Sequence, residues 1–233
     1  MPIGEVTGDG TRLERPSLSR SQEDYLKQIF LLGNGIKSVS TRDLSERLHV
    51  RPASATGMIQ RLAEQGLVDH EPYRGVSLTE DGRRVALEML RHHRLLETFL
   101  ERVLGYGWDE VHEEAERLEH VISERFEARI AETLGHPTHD PHGDPIPDAD
   151  LKLPPALDEV SLTSLKDGVG AKLTRVGTQD RESLHRLGLI GLVPGVEIRV
   201  LGTDADGITI VVNNHDHLLP YELARLLWFR ENV

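Results

Sequence analysis

Six prolines fall between residues 135 and 157, in GHPTHDPHGDPIPDADLKLPPAL, and the hydrophobic pattern changes period across them. Proline fixes φ and removes a backbone donor, so neither a helix nor a central strand runs through such a stretch. It is a linker, or an ordered loop lying against helices. Before it, apolar residues recur every three or four positions. After about residue 160 they alternate, in AKLTRVGT, GVEIRVLGT and GITIVVNN. The chain is therefore α+β, with its helices and strands segregated. Val193-Pro194-Gly195 and Asp204–Gly207 read as turns of a small, SH3-like β-barrel.

The helical part divides further. SQEDYLKQIFLL (21–32) predicts a helix capped by Ser21 and ended by Gly33 and Gly35. STRDLSERLHV (40–50), capped by Ser40, predicts a second. A third opens at Pro52, buries Met58, Ile59 and Leu62, and ends at Gly66. Two short helices with a tight connection make a helix-turn-helix. LVDHEPYRGVSLTEDG follows as two short strands around Tyr73-Arg74-Gly75, the wing of a winged helix. Residues 83–105 predict a long amphipathic helix ended by Gly105, and residues 109–134 one more, ended by Gly135.

Charge separates these parts. The formal net charge is −12, which alone argues against a nucleic-acid binder. Residues 1–80, however, hold 10 Lys/Arg and 11 Asp/Glu, a sum of −1, and the remaining −11 lies beyond them. A near-neutral head on an acidic body suits a chain that binds cations in one part and something else in another. Aromatics make up 4% of the residues, so the cores must be aliphatic. No run of about 18 apolar residues predicts a membrane span. The first 20 residues read as a frayed tail rather than a secretory signal. With no cysteine, disulfides and thiolate ligands are excluded, which fits a cytoplasmic protein.

The acid is concentrated in VHEEAERLEH (111–120), with four carboxylates and two histidines in ten residues. Like charges one turn apart repel by about 0.2–0.5 kcal/mol each. On a helix, His112, Glu116, Glu119 and His120 fall within about 100° of one face. Glu113 and Glu114 point to solvent, and Val111, Ala115, Leu118, Val121 and Ile122 pack. A dication turns that mutual repulsion into attraction. The preceding helix repeats the device with His93 and Glu97 at i, i+4, while His92, one residue off, is expected at the surface. Either pair alone is more often a solvated face, but both in consecutive helices point to a metal site. Carboxylate and imidazole without sulfur suit manganese(II) or iron(II). HEEAE also resembles a zinc-protease string, but Glu116 stands where the second histidine would be needed.

The order of parts resembles the diphtheria-toxin-repressor family of metal-dependent transcriptional repressors. The resemblance covers nearly the whole chain from about residue 20. It is carried by EDYLKQI, the helix-turn-helix through RLAEQGLV, LTEDGRR, RHHRLLE, VHEEAERLEHVIS and HPTHDPHGDPIP, the last two being highly specific. It implies a winged-helix DNA-binding domain over 21–84, a helical metal-binding and dimerisation domain over 85–150, a linker over 151–162 and an SH3-like domain over 163–233. The family's primary metal site would fall on Asp24, Glu116, Glu119 and His120. Its ancillary site would fall on His93, Glu97 and His112 with a ligand from the SH3-like domain, best matched by Gln179, with Asp180 and Glu182 as rivals. Iron-sensing members tend to have methionine where this chain has Asp24 and cysteine where it has Glu116. The ligand set thus looks like the manganese-responsive branch, with iron(II) second and cobalt(II), zinc(II) or cadmium(II) as substitutes in vitro. Compact manganese sensors have glutamate where this chain has Lys27 and lack the SH3-like domain, so their paired-metal geometry does not transfer.

What the resemblance implies is a homodimer that binds double-stranded DNA at a palindromic operator near metal-uptake genes, with no membrane and no small-molecule substrate. Arg51, Pro52, Ala53, Ser54, Thr56 and Gly57 are the candidates for base edges. Gln60, Arg61, Thr41, Arg42 and wing Arg74 are the candidates for phosphates. Gly57 is open to the alternative that it serves only close packing. Two other readings compete: a metal-dependent hydrolase carrying a winged helix, and a winged-helix sensor of a small organic molecule. No nucleophile or general base stands apart from the ligand set to support the hydrolase.

Overall fold

The computed structural model describes residues 18–35, 37–71 and 74–231. The tail expected over 1–20 lies, for residues 1–17, outside the described residues, as does Tyr73 at the wing tip. Among the described residues no helix is long and apolar enough to cross a membrane.

The head is built from α1 (Arg20–Leu32), α2 (Thr41–Arg47), α3 (Pro52–Glu64) and an antiparallel hairpin, β1 (Val68–Glu71) with β2 (Gly75–Leu78). Ser19, not Ser21, begins α1. Gln22 stands three residues on and its Oε1 accepts the Ser19 N–H at 3.0 Å, the return contact of a capping box, which a start at Ser21 lacks. Ser40 caps α2 by accepting from the Asp43 N–H at 3.0 Å, and Pro52 opens α3. Leu26, Ile29, Leu44, Ile59, Leu62 and Val76 close the head's core. Ala55 takes the buried place expected of Met58, which is half-buried.

One helix, α4 (Glu80–Arg102), serves two cores. Its 23 residues span about 35 Å. Ala86, Leu87 and Leu90 pack into the head, whereas Leu95, Leu96 and Leu100 pack with Val111, Ala115, Ile130 and Ile146 in the body. The helix expected over 109–134 is two: α5 (Val111–Leu118) and α6 (Glu124–Thr133). Ser123 makes the break, extended at φ −89° and accepting the Phe126 N–H at 3.3 Å. A serine offered as N-cap competes with continued helix. Two expectations change with it. Glu119 and His120 lie just beyond α5, and Val121 is exposed rather than packed.

Residues 135–157 form the ordered loop, not a free linker. Asp140 Oδ1 accepts the N–H groups of His142 and Asp144 at 2.8 and 2.9 Å. Arg91 and Arg94 of α4 donate to the carbonyls of Pro147 and Pro145 at 2.6 and 2.5 Å. The six-proline segment is thus held by side chains together with a short backbone bridge between His139 and Pro145.

The C-terminal unit is a six-stranded antiparallel sheet with strand order β3-β8-β4-β5-β6-β7. The strands are β3 (Val160–Ser161), β4 (Gly170–Val176), β5 (Glu197–Thr203), β6 (Ile208–Val212), β7 (His215–Leu219) and β8 (Leu227–Glu231). Its core is aliphatic around Phe229. Two helices interrupt it: α7 (Arg181–Leu189), where alternation assigned no element, and the single turn α8 (Tyr221–Ala224). Of α7's nine residues only Leu184 and Leu187 are buried, too few for a 3.6-residue signature. The sheet is seated on the body. Trp108 packs against its core, and the Val176 N–H donates to the His142 carbonyl at 2.8 Å. Gly143, at φ +89°, lies where a Cβ would come within 2.0 Å of the Thr174 oxygen, so only glycine permits that approach.

Candidate metal centres and nucleic-acid interface

Three of the four residues expected at the primary site converge. Asp24 arrives from α1 and Glu119 and His120 from the turn after α5. His120 Nε2 lies 3.1 Å from Asp24 Oδ1 and 3.5 Å from Glu119 Oε1. Glu116 does not join them. Its Oε1 is held by Lys27 Nζ at 2.7 Å, and the same ammonium reaches Glu119 Oε1 at 2.5 Å. Lys27 is 3% exposed; burial would lower its pKa, but Glu119 and Glu116 outweigh that and raise it. Glu116 is pulled below the usual carboxylate range, Lys27 and His93 overcoming its burial. The cationic side chain therefore supplies the charge that these carboxylates need between the two clusters.

Sequence reasoning missed Glu23. Its Oε2 accepts from His120 Nδ1 at 2.7 Å. That bond fixes the tautomer, leaving Nε2 turned toward Asp24 and Glu119, the arrangement second-sphere carboxylates give to ligating histidines. Burial alone would lower the His120 pKa, but Asp24 and Glu23 push it up to about 9. A signal existed in the adjacency of Glu23 and Asp24, but spacing alone does not say which carboxylate serves which nitrogen.

The expected ancillary residues also come together. His93 Nε2 lies 2.9 Å from Glu97 Oε1 and 3.0 Å from His112 Nδ1, with His112 Nδ1 3.1 Å from Glu97 Oε1. The body adds two residues from the proline loop. Glu97, Asp140 and His142 bring their ligand atoms within 4.8 Å of one another, all buried. Burial, then the nearby Glu97 and Asp144 carboxylates, push Asp140 up to about 8. Burial opposes charge on His93 and His142, but their carboxylate neighbours raise them to about 10 and about 9. Glu97 is held well below its ordinary value, the His93, His112 and His142 contacts overcoming complete burial. The signal for Asp140 and His142 was HPTHDPHGDPIP itself, which spacing could not place against α4.

A dication fits both clusters on the chemistry of orphaned atoms. Asp24 Oδ1, Glu97 Oε2, Asp140 Oδ2, His142 Nδ1 and Gln179 Oε1 are buried polar atoms without a hydrogen-bond partner among the described residues. Such atoms cost free energy unless something pairs them, on the order of 1–3 kcal/mol each. All are oxygen or nitrogen donors of the kind divalent cations take. Gln179 lies three residues past Val176, whose N–H holds the His142 carbonyl. Its rivals are exposed, and Asp180 is engaged as the N-cap of α7, accepting from the Ser183 N–H at 2.9 Å.

In the head, Arg51, Pro52, Ala53, Ser54, Gln60 and Arg61 are exposed along α3, with Thr56 and Gly57 half-buried on the same side. A Cβ at Gly57 would meet nothing within 4 Å, which removes close packing as the reason for glycine there. Thr41 is half-buried and Arg42 exposed. Arg42 and Arg74 rest on Glu46 and Glu71 at 2.8 and 3.1 Å, exposed pairs that exchange readily for other partners.

Comparison with known proteins agrees part by part. Residues 17–76 match the iron dependent repressor N-terminal DNA binding domain, and residues 79–148 the iron dependent repressor metal binding and dimerisation domain. Residues 160–231 match the FeoA domain. The iron-dependent repressor IdeR of Mycobacterium tuberculosis (strain ATCC 25618 / H37Rv) is 36% identical over 215 residues, covering 87% of this chain and 93% of that protein. The chain belongs to the iron-dependent, or diphtheria-toxin, repressor family. Its members are metal-dependent, DNA-binding transcriptional repressors and not enzymes, which removes the hydrolase reading. A manganese-dependent transcriptional repressor solved in complex with manganese is 41% identical with a TM-score of 0.83, covering 91% of this chain and all of that one. ScaR with bound zinc is 31% identical with a TM-score of 0.76, covering 91% and 99%.

Proposed function

We propose that this family member is a cytoplasmic homodimer switched onto DNA by manganese(II), with iron(II) the second candidate. The observation that carries the reading is the meeting of Asp24, on the head, with Glu119 and His120, on the body. We assign the primary centre to these three with Glu116, once Lys27 yields it. The second centre is assigned to His93, Glu97, His112, Asp140, His142 and Gln179. The donors are hard or borderline and include no sulfur, which favours manganese(II) or iron(II) and admits cobalt(II), zinc(II) or cadmium(II) in vitro. Iron(II) keeps its place because IdeR, at 36% identity, is named for iron.

A bound dication supplies two positive charges and a demand for several oxygen and nitrogen donors. The chain's own residues do the rest. Asp24 ties α1 to the body, Glu23 holds the His120 ring in place, and Lys27 neutralises the neighbouring carboxylates. Fixing α1 fixes α3, and with it the spacing of two recognition helices across the dimer. Half-sites of a palindromic operator lie roughly 34 Å or a multiple apart on one DNA face. The switch can be no stronger than the difference in affinity between the open and closed arrangements. Exposed Val103, Leu104, Tyr106, Val121 and Phe126 on the body supply apolar surface for the dimer contact.

The test is a gel shift with palindromic DNA from upstream of a manganese-transporter gene. Manganese should strengthen binding and EDTA abolish it. Asp24→Ala and His120→Ala should fold normally and lose the metal response, by about 100-fold or more in apparent affinity if each removes a ligand. Wild-type metal response in both variants overturns the assignment.

A further inference from the structure

His92, expected at the surface, is 1% exposed and faces away from both clusters described above. Its Nδ1 lies 3.1 Å from the backbone oxygen of Glu119. A carbonyl only accepts, so Nδ1 carries the proton and, in the neutral ring, Nε2 is left with its lone pair. That nitrogen approaches Glu127 Oε2 to 2.9 Å without making a hydrogen bond. Glu127 is already committed to Arg91, whose Nε donates to Oε1 at 2.6 Å. Glu127 is thus already neutralised by Arg91, and the buried His92 Nε2 is left without a hydrogen-bond partner.

His92 also meets two further carboxylates. Glu88 is one turn before His92 on α4, and Glu124 stands in the first turn of α6. The ligand atoms of Glu88, His92 and Glu124 lie within 4.8 Å of one another. Glu88 and Glu124 also line an open cavity of about 820 Å³ between α4, α6 and the proline loop, through which a hydrated ion can enter. We propose that Glu88, His92 and Glu124 form a third divalent-cation site, distinct from the primary and ancillary centres. One imidazole and two carboxylates suit zinc(II), cobalt(II) or manganese(II). The hydrogen bond from His92 to the Glu119 carbonyl joins this site to the turn that carries Glu119 and His120. An ion here braces α4 against α6 behind the primary ligands.

The experiment is metal stoichiometry on the full-length protein, dialysed against cobalt(II) or zinc(II) and measured by elemental mass spectrometry. Wild type should hold three ions per chain. Glu124→Gln, at an exposed position, and His92→Asn, whose amide can still donate to the Glu119 carbonyl, should each hold two. Loss of one cobalt(II) absorption component should accompany each. Two ions in wild type, as an imidazolium–carboxylate pair without metal would give, overturns the proposal. So does unchanged stoichiometry in both variants. The site goes beyond the repressor reading, and a failure of metal-dependent DNA binding would leave this difference in stoichiometry standing.

Discussion

Asp24 reaches its cluster from the DNA-binding head, whereas Glu97, Asp140 and His142 all come from α4 and the loop pressed against it. The first cluster bridges two cores; the second lies inside one and touches the SH3-like unit through His142 and Trp108, whose carbonyl receives His142 Nε2 at 2.8 Å. Burial differs at the bridging residue, since Glu119 and His120 are as buried as the body ligands. Asp24 keeps a third of its side chain exposed, while Glu97 and His142 keep none. A ligand set that spans a junction reports on the position of the head. One sealed within the body sets the body's stability and the seat of the C-terminal sheet.

Several measurements can break or sharpen that contrast. The largest effect is expected at Lys27, which neutralises Glu116 and Glu119 at the junction. Lys27→Met removes the ammonium from buried Glu119 and half-buried Glu116 and should cost the metal-free protein about 3 kcal/mol in denaturant unfolding. Saturating manganese should recover much of that, because linkage adds the binding free energy to the folded state. If manganese recovers none, the carboxylates beside Lys27 do not hold metal.

Glu23→Gln should weaken manganese binding at the junction by about 10- to 100-fold, read by isothermal titration, and lower metal-free stability by less than Lys27→Met does, because Asp24 still faces His120. The sealed cluster should behave in the opposite way. Asp140→Asn puts a permanently neutral side chain where burial and Glu97 force an acid to keep its proton, so the metal-free protein should gain about 1–2 kcal/mol at neutral pH. The rise in melting temperature on adding manganese should shrink at the same time. An Asp140→Asn protein that is less stable without metal contradicts the account of that cluster.

The smallest effect is in pH. His93, His120 and His142 are raised to about 10, 9 and 9 in the metal-free fold, against an ordinary value of 6.5. Their charge stabilises the fold fully below about 6.5, and that contribution is lost as the pH rises through about 9 to 10. Asp140, raised to about 8, acts in the same direction because the fold favours its neutral form. The melting temperature of the metal-free protein should therefore fall by several degrees, on the order expected for about 1 kcal/mol or more, between pH 6.5 and 10. Manganese-loaded protein should show a flatter profile over that range, its ligands being deprotonated already.

Much of this architecture was legible in the residues because it rests on local rules. Ser40 and Pro52 mark helix starts, Gly66, Gly105 and Gly135 mark ends, and the α+β division follows the change of period at the proline loop. The clusters were legible in part, because i, i+4 spacing places His93 and Glu97 on one face regardless of what packs there. Periodicity says nothing of what lies opposite a face. His92 was assigned to solvent because it sits beside the ligand stripe, yet α6 covers it. Asp140 and His142 join Glu97 from more than forty residues away, through Arg91 and Arg94 contacts that no spacing encodes. The break at Ser123 was hidden because helical and capping readings of SERFE differ only in whether the chain turns.

Ala53, Ser54 and Gly57 have a consequence for how this repressor can diverge. Ala53 and Ser54 are exposed, and a side chain added at Gly57 would touch no other part of the protein. The head's core is secured instead by Ala55, Ile59 and Leu62 on the opposite side of α3. These three positions can therefore vary without repacking the interior, so under the proposed reading, in which they face base edges, operator preference can change while the metal switch is inherited intact.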